Sequence, residues 1–174
     1  MRPTLLLTLS ALCTVACATT KPEEPPPRPR EPPGCTSLKF DLETGTLNGL
    51  TPRASQAEVK AQLPCSTGDT EDGSPFNYGG GVFFLKNDFY FYTGRDFIEV
   101  RTKFTGTLST PLLGASPSDQ EATFGKPKWT EKLPSMLFFD RPWGCLRLAG
   151  RGGAIATVAV HYEPCDKTMS WYDD

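Results

Sequence analysis

The chain has 174 residues, 38% of them hydrophobic and 22% charged, a composition typical of one compact domain or two small ones. The formal net charge of -2 excludes the basic field that recruits nucleic acid. It also excludes a polybasic patch that would hold the protein on anionic lipid.

The chain begins with an export signal. Residues 5–16 form an uncharged apolar stretch that is too short to span a bilayer stably and is typical of a signal peptide. The stretch ends in Thr14-Val15-Ala16-Cys17, which resembles the lipobox of bacterial lipoproteins. The resemblance implies that residues 1–16 are removed and that the Cys17 thiol receives a diacylglyceryl group. The alternative is a plain signal peptide cut near Ala18.

The predicted anchor also gives a location. More than one acyl chain on Cys17 would hold the protein on a membrane permanently, because each buried methylene contributes ~0.8 kcal/mol. Ala-Thr-Thr follows the cysteine, without an aspartate, which by the sorting rules of enteric bacteria favours the outer membrane. We therefore predict an outer-membrane lipid anchor, on the periplasmic face rather than the cell surface.

Residues 17–34 are predicted to be the lipidated cysteine and a spacer. From Lys21 to Pro33 the chain has seven prolines in thirteen residues. Such sequence favours extended polyproline II at ~3.1 Å per residue, a reach of roughly 40 Å, and cannot pack a core. We interpret it as a stalk between bilayer and domain. A ligand for a proline-binding partner is the alternative.

Four further cysteines predict two disulfide bonds, because an even number in an exported domain is typical of a disulfide framework. They allow three pairings. We favour Cys35–Cys65 and Cys145–Cys165, since each bond would then join residues within one half of the chain. The chain has no C-x-x-C pair and only one histidine, which argues against zinc, so we predict no metal site.

The globular part contains an internal repeat. Gly45-Thr46-Leu47 recurs as Gly106-Thr107-Leu108, 61 residues later, and similar helices and strands follow each copy. The first helix begins at Ser55, which forms an S-x-x-E capping box with Glu58. The second begins at Ser116 and precedes a glycine. We predict two fused α+β units, residues 35–104 and residues 105–174.

Strands follow each predicted helix. The Gly79-Gly80-Gly81 run is expected to let a loop enter a strand. From Phe97 to Phe104 apolar and polar residues alternate, which predicts one buried face and one wet face that carries Glu99 and Arg101. Asp173 and Asp174 are expected to form a frayed tail. The other predicted strands are residues 82–85, 89–93, 136–139, 145–148 and 154–162.

A short helix followed by an antiparallel meander, in two tandem copies, resembles the β-lactamase-inhibitor-protein-like architecture. A single copy resembles the SmpA/OmlA lipoproteins of the outer-membrane assembly machinery. The matching residues are Ser55 to Pro64 and Ser116 to Pro127, with the strands after each. The resemblance implies a helix packed on an antiparallel sheet, twice, and a binding protein rather than a catalyst.

The residues offer no catalytic constellation. The sole histidine, His161, falls in a strand of alternating pattern and is expected to be a packed or surface residue rather than a general base. G-x-S-x-G, H-E-x-x-H and P-loop motifs are absent from the sequence. Asp69, Glu71 and Asp72 are interpreted as a solvated acidic loop rather than a calcium site. We expect no enzyme, no catalytic residue and no cofactor.

We therefore expect a non-catalytic protein-binding or envelope-assembly module with a protein partner. The alternative is an inhibitor or immunity-type protein that caps a partner enzyme with a concave sheet face. Tyrosine and tryptophan are favoured anchors of protein interfaces. The candidate partner-binding residues are Phe76, Tyr78, Trp129 and Trp143.

Overall fold

The computed structural model describes residue 35, residues 37–128 and residues 135–173. The predicted signal peptide, Cys17, the spacer and Trp129 lie outside the described residues. The described part is a mixed α+β fold that consists mostly of antiparallel strands, which confirms the predicted class. The strands are β1 (Lys39–Asp41), β2 (Thr46–Leu47), β3 (Gly68–Thr70), β4 (Gly81–Phe84), β5 (Phe89–Tyr92), β6 (Phe97–Arg101), β7 (Thr107–Leu108), β8 (Met136–Arg141), β9 (Gly144–Arg151) and β10 (Ala154–His161). The helices are α1 (Gln56–Gln62), α2 (Glu121–Phe124) and α3 (Cys165–Asp173).

The strands form two sheets. The larger sheet has seven antiparallel strands in the order β3-β4-β5-β6-β10-β9-β8. Two meanders, β4 to β6 and β8 to β10, therefore meet where β6 pairs with β10 at the centre of the sheet. The smaller sheet has the order β2-β1-β7, with β7 parallel to β1.

The two copies of the repeated tripeptide flank one residue of the smaller sheet. Leu47, in β2, and Leu108, in β7, both lie opposite Phe40 of β1. Phe40 and Leu47 are fully buried, so this small sheet contributes to the main core.

One face of the seven-stranded sheet, here called the inner face, carries the main core. Helix α1 packs on it through Val59, and Leu63, the residue that follows the helix, joins the same core. The cluster draws on strands of both meanders, which makes it continuous across the β6–β10 junction. Its strand residues include Val82, Phe84, Phe89, Phe91, Ile98, Val100, Leu146, Leu148, Val158 and Val160.

Helix α1 begins where its sequence signal predicts, whereas the helix predicted from Ser116 begins as a 3-10 turn and becomes α-helical only at Glu121. The Ser55 hydroxyl accepts from the Glu58 amide, and the Glu58 carboxylate accepts from the Ser55 amide, which completes the capping box. After Ser116 the chain forms a 3-10 turn, Pro117–Gln120, before α2 begins. Gly125, with a φ of 85°, ends α2 in the left-handed region that favours glycine.

The described cysteines lie in two disulfide pairs. Cys35 pairs with Cys65 at a Cα–Cα distance of 5.3 Å, and Cys145 pairs with Cys165 at 4.8 Å. This is the pairing that the sequence analysis favours. The second bond attaches the first residue of α3 to β9, so it fixes the start of this helix against the larger sheet.

Two expectations about strand and tail are wrong. The strand predicted to reach Phe104 ends at Arg101, and Glu99, expected on the wet face, is only 6% exposed. The reason is that other residues cover this face of the sheet. Asp173, expected with Asp174 in a frayed tail, belongs to α3, while Asp174 lies outside the described residues. Helix α3, which contains Asp173, packs on the face that carries Glu99 and is part of this cover.

Candidate functional site

The opposite face of the seven-stranded sheet, here called the outer face, carries polar and aromatic residues. Strand register aligns one row of side chains across six strands, and alternation within each strand places them all on this face. In sheet order the row is Phe83, Tyr90, Glu99, Ala159, Arg147 and Phe138.

A buried ion pair crosses the centre of this row. Arg147 is 5% exposed, and its Nη2 lies 2.5 Å from Glu99 Oε2. The two residues lie on β9 and β6, with Ala159 of β10 between them, so the small side chain of Ala159 leaves room for the contact. The other Glu99 oxygen lies 2.6 Å from Arg101 Nε. Each carboxylate oxygen therefore has its own guanidinium partner, which offsets the desolvation of the buried charges.

The next row contains His161, which is fully buried. Its ring stacks on Phe97 at a centroid distance of 4.6 Å and an interplanar angle of 22°. Neither ring nitrogen has a hydrogen-bond partner among the described residues. Burial, and then the charge of Arg147, hold the pKa of the His161 imidazole well below its usual range. The histidine is therefore neutral at pH 7, in agreement with a packed role.

Helix α3 covers the part of the outer face that contains these charges. Trp171 and Tyr172 lie edge-on to His161, at centroid distances of 5.8 Å and 6.3 Å. Tyr172 also lies over the Arg147 guanidinium, 4.9 Å from its central carbon. Burial raises the pKa of Tyr172 to about 12. The helix thus shields Arg147 and His161 from water with aromatic side chains.

The rest of the outer face and the loop before β4 present an aromatic surface, defined here as Phe83 and Tyr90 of the strands and Phe76 and Tyr78 of the loop. Phe76 is 72% exposed and Tyr78 is 46% exposed, while Phe83 and Tyr90 are half-buried. Arg101 stacks on Tyr90, with its central carbon 4.1 Å from the ring centroid. Exposed aromatic rings beside an arginine are the composition of protein-interface hot spots.

The loop before β4 holds Tyr78 in an uncommon backbone conformation. Asn77 and Tyr78 both have positive φ, 52° and 53°. Left-handed backbone costs a bulky residue about 1–2 kcal/mol, and such strain persists only where the surroundings impose it. Here the Tyr78 ring packs edge-on against Tyr92 and Phe97, at 5.2 Å and 5.6 Å. The loop therefore adopts a backbone conformation of higher energy, and this conformation places the Tyr78 ring at the rim of the outer face.

Close backbone contacts fix the same loop, as the glycine run predicts. A Cβ atom at Gly80 would lie 2.2 Å from the Glu71 carbonyl oxygen, and one at Gly81 would lie 2.1 Å from that of Phe91. A Cβ atom at Gly94 would lie 2.0 Å from the Gly79 carbonyl oxygen. Only glycine fits at these three contacts, so the run seats the loop against neighbouring strands.

The four candidate partner-binding residues do not form one group. Phe76 and Tyr78 belong to the aromatic surface. Trp143 is half-buried and packs against the main core, and its indole N–H donates to the Leu42 carbonyl at 3.2 Å. Trp143 also leaves no space for a side chain at Gly45, so it connects the β8–β9 hairpin to the turn after β1. Trp129 lies outside the described residues.

Sequence reasoning missed the buried pair of Glu99 and Arg147. The alternation in β6 marks Glu99 as an outer-face residue, but the opposite charge lies 48 residues away on β9. The sequence does contain a signal for this ion pair, but the signal can be used only when the order of the strands is known. Once β6 and β9 are placed on either side of β10, an alanine between an acid and a base predicts a bridging ion pair.

The described residues show neither a metal cluster nor a membrane span. In these ranges no group of three or more His, Cys, Asp or Glu side chains could hold a metal ion. None of the described helices has the length and apolar character that a bilayer crossing requires. A cleft of about 370 Å³ is lined by Trp143 and Tyr162 and reaches Pro164, just before α3. A second cleft, of about 270 Å³, is lined by Arg95 and by Trp171 of α3.

No protein-family model, curated protein or solved structure matches this chain.

The ion pair gives a test of the outer face. We expect Glu99→Gln to lower the free energy of unfolding by about 3–5 kcal/mol, because it leaves Arg147 buried without a counter-charge. Glu99→Leu combined with Arg147→Met should lower it by less than about 2 kcal/mol, since apolar residues of similar volume remove both desolvation costs. Urea titration measures these values. Arg101→Gln is the control, with a loss of up to about 1 kcal/mol because Arg101 is half-exposed. Equal losses in the single and double variants would contradict this description.

Proposed function

We propose that this protein is an outer-membrane-anchored periplasmic lipoprotein that works as a non-catalytic protein-binding module of the cell envelope. Cys17 carries the lipid anchor, and the proline-rich spacer holds the domain away from the bilayer. The aromatic surface on the outer face contacts the partner. Both disulfide pairs suit an oxidising compartment such as the periplasm.

The observation that carries the binding proposal is the exposure of Tyr78, whose ring packs against Tyr92 and Phe97 of the outer face, and of Phe76 two residues before it. Monomeric proteins seldom keep large aromatic side chains together at the surface without an interaction that uses them. The positive φ of Tyr78 adds to this, because the loop accepts backbone strain in order to present the ring. Arg101 and Arg95 lie next to the rings and would complement acidic groups of a partner.

A finer description of the fold favours a second candidate function, which uses the same surface. We propose, as the finer description of the fold, that the two meanders are the halves of a tandem repeat. In support, they occupy the two sides of one sheet, and the repeated tripeptides flank Phe40 on either side. A tandem of this kind resembles the β-lactamase-inhibitor-protein-like architecture, which favours an inhibitor or immunity-type protein that caps a partner enzyme.

The anchor is tested by metabolic labelling. We expect Cys17→Ala to abolish incorporation of labelled palmitate and to move the protein from the membrane to the soluble fraction. The reason is that the thiol is the atom that receives the lipid. Cys13→Ala is the matched control and should retain both label and membrane association, because Cys13 lies in the segment that is removed. Label on the Cys17→Ala protein would disprove the anchor.

The surface is tested by photo-cross-linking in intact cells. A photoreactive phenylalanine analogue replaces Tyr78 in one strain and Tyr162 in the other, two tyrosines that are 46% and 45% exposed. We expect one abundant adduct from position 78 and none from position 162, because only Tyr78 belongs to the aromatic surface. Mass spectrometry identifies the adduct.

The identity of the adduct separates the two functions. Components of outer-membrane assembly would support the binding module, and a single hydrolase or toxin would support the inhibitor. The same adducts from both positions, or none from position 78, would contradict a partner on this surface.

A further inference from the structure

Helix α3 is held at its two ends by different kinds of contact. Its first residue, Cys165, is bonded to Cys145, and the Thr168 hydroxyl and amide donate to the carbonyls of Glu163 and Pro164. Its second half packs through the rings of Trp171 and Tyr172. The first turn is therefore fixed covalently and by hydrogen bonds, whereas the second half relies on ring packing against the sheet.

The helix is separate from the main core. Its apolar residues belong to the two small clusters of the outer face, and none of them belongs to the cluster that fills the inner face. Lifting the second half of α3 would therefore leave α1 and the inner-face core intact. Local opening at lower free energy than global unfolding is expected of such an element.

Protonation of His161, which lies under the second half of α3, is more favourable when the helix is lifted than when it is closed. His161 lies between Phe97 and the two rings of α3, and its ring nitrogens have no partner among the described residues. An imidazolium there would need water or a counter-charge, and lifting the helix supplies water to both N–H groups. The closed helix thus disfavours the charged form of the only histidine in the chain.

When the helix is closed, the charged groups that the structure describes around His161 do not stabilise an imidazolium. From β9, Arg147 brings a like charge, and the carboxylate of Glu99 on β6 is already shared by Arg147 and Arg101. Tyr172 faces the ring as a neutral phenol. The charges next to the helix are also engaged: Asp166 pairs with Lys128, Glu163 with Lys167, Asp96 with Arg53, and Arg95 stacks on Trp171.

We propose that α3 is a proton-sensitive strap: acidification releases its second half, which swings out on the Cys145–Cys165 bond and uncovers Glu99, Arg147 and His161. Glu99 and Arg147 continue the row that begins with Phe83 and Tyr90, and His161 lies in the next row, so the release enlarges the open part of the outer face. This device does not depend on the partner proposed above, because its trigger and its movement both lie within the described residues.

The expected size follows from proton linkage. The open strap returns His161 to an ordinary pKa of about 6.5, while the closed strap keeps it neutral. Each pH unit below about 6.5 therefore raises the open population about tenfold, until the pH reaches the pKa of the closed form. Between pH 7.5 and pH 5.0 the increase for one proton is at most about 30-fold. At higher pH the histidine is neutral in both states and contributes nothing.

The test measures amide hydrogen exchange of α3 in the full chain, in detergent, at pH 7.5 and pH 5.0, corrected for the intrinsic rates. We expect protection of the second half of α3 to fall by up to about 30-fold, with α1 unchanged as internal reference. His161→Phe is the matched control, since it keeps the ring against Phe97 and removes the proton site. In this variant the loss should disappear. The control is needed because burial raises the pKa of Asp96, beside α3, so that this carboxyl also titrates in acid.

Three results would overturn the strap: α3 protection independent of pH, the same loss in His161→Phe, or simultaneous loss in α1 and α3, which is global unfolding. If the His161→Phe variant does not fold, the imidazole resonance of the wild-type chain tests the proposal instead. The single histidine gives one imidazole Cε1–H resonance, and that resonance should shift with pH only as α3 opens. A titration near pH 6.5 with α3 still protected would contradict a buried, closed-state histidine.

Discussion

The outer face of the seven-stranded sheet is organised by the buried ion pair between Glu99 and Arg147. Two charges in a low-dielectric site lose several kcal/mol of hydration each, and they persist only with close counter-charges and hydrogen bonds. Arg101 and Arg147 satisfy both Glu99 oxygens, and Ala159 leaves room for the contact. The pair therefore specifies the register of β6, β10 and β9, since a slip of one residue would send each of these side chains to the apolar inner face.

Local signals account for what the sequence predicts correctly. The capping box at Ser55 and the glycine that ends α2 act over three or four residues, so they are visible in the sequence. Neighbouring strands joined by short turns are visible for the same reason. The β6–β10 pairing, the burial of Glu99 and the packing of α3 depend on residues up to 64 positions apart, as in the pair of Phe97 and His161. The sequence does contain a signal for α3. Its buried side is formed by residues with helical spacing, but the aromatic residues of this segment make the stripe hard to recognise. The stripe consists of Cys165, Thr168, Met169 and Tyr172.

The division of the outer face gives the proposed function its physical basis. One half holds charges that water would stabilise better than protein does, so it needs the cover that α3 provides. The other half has hydrophobic rings in contact with water, so it gains free energy when a partner covers it. Tyr78 lies at this open half, and Arg95 lies between Tyr78 and Trp171 at the border of the two. A partner that contacts Arg95 would therefore also affect how firmly Trp171 is held.

The most direct test of the open half is hydroxyl-radical footprinting of the same chain, purified and in intact cells. The two tyrosines of matched exposure, Tyr78 and Tyr162, report on the aromatic surface and on a surface away from it. We expect strong labelling of both tyrosines in the purified protein and protection of Tyr78 alone in cells. Equal labelling of Tyr78 in the two settings would contradict a partner on the aromatic surface.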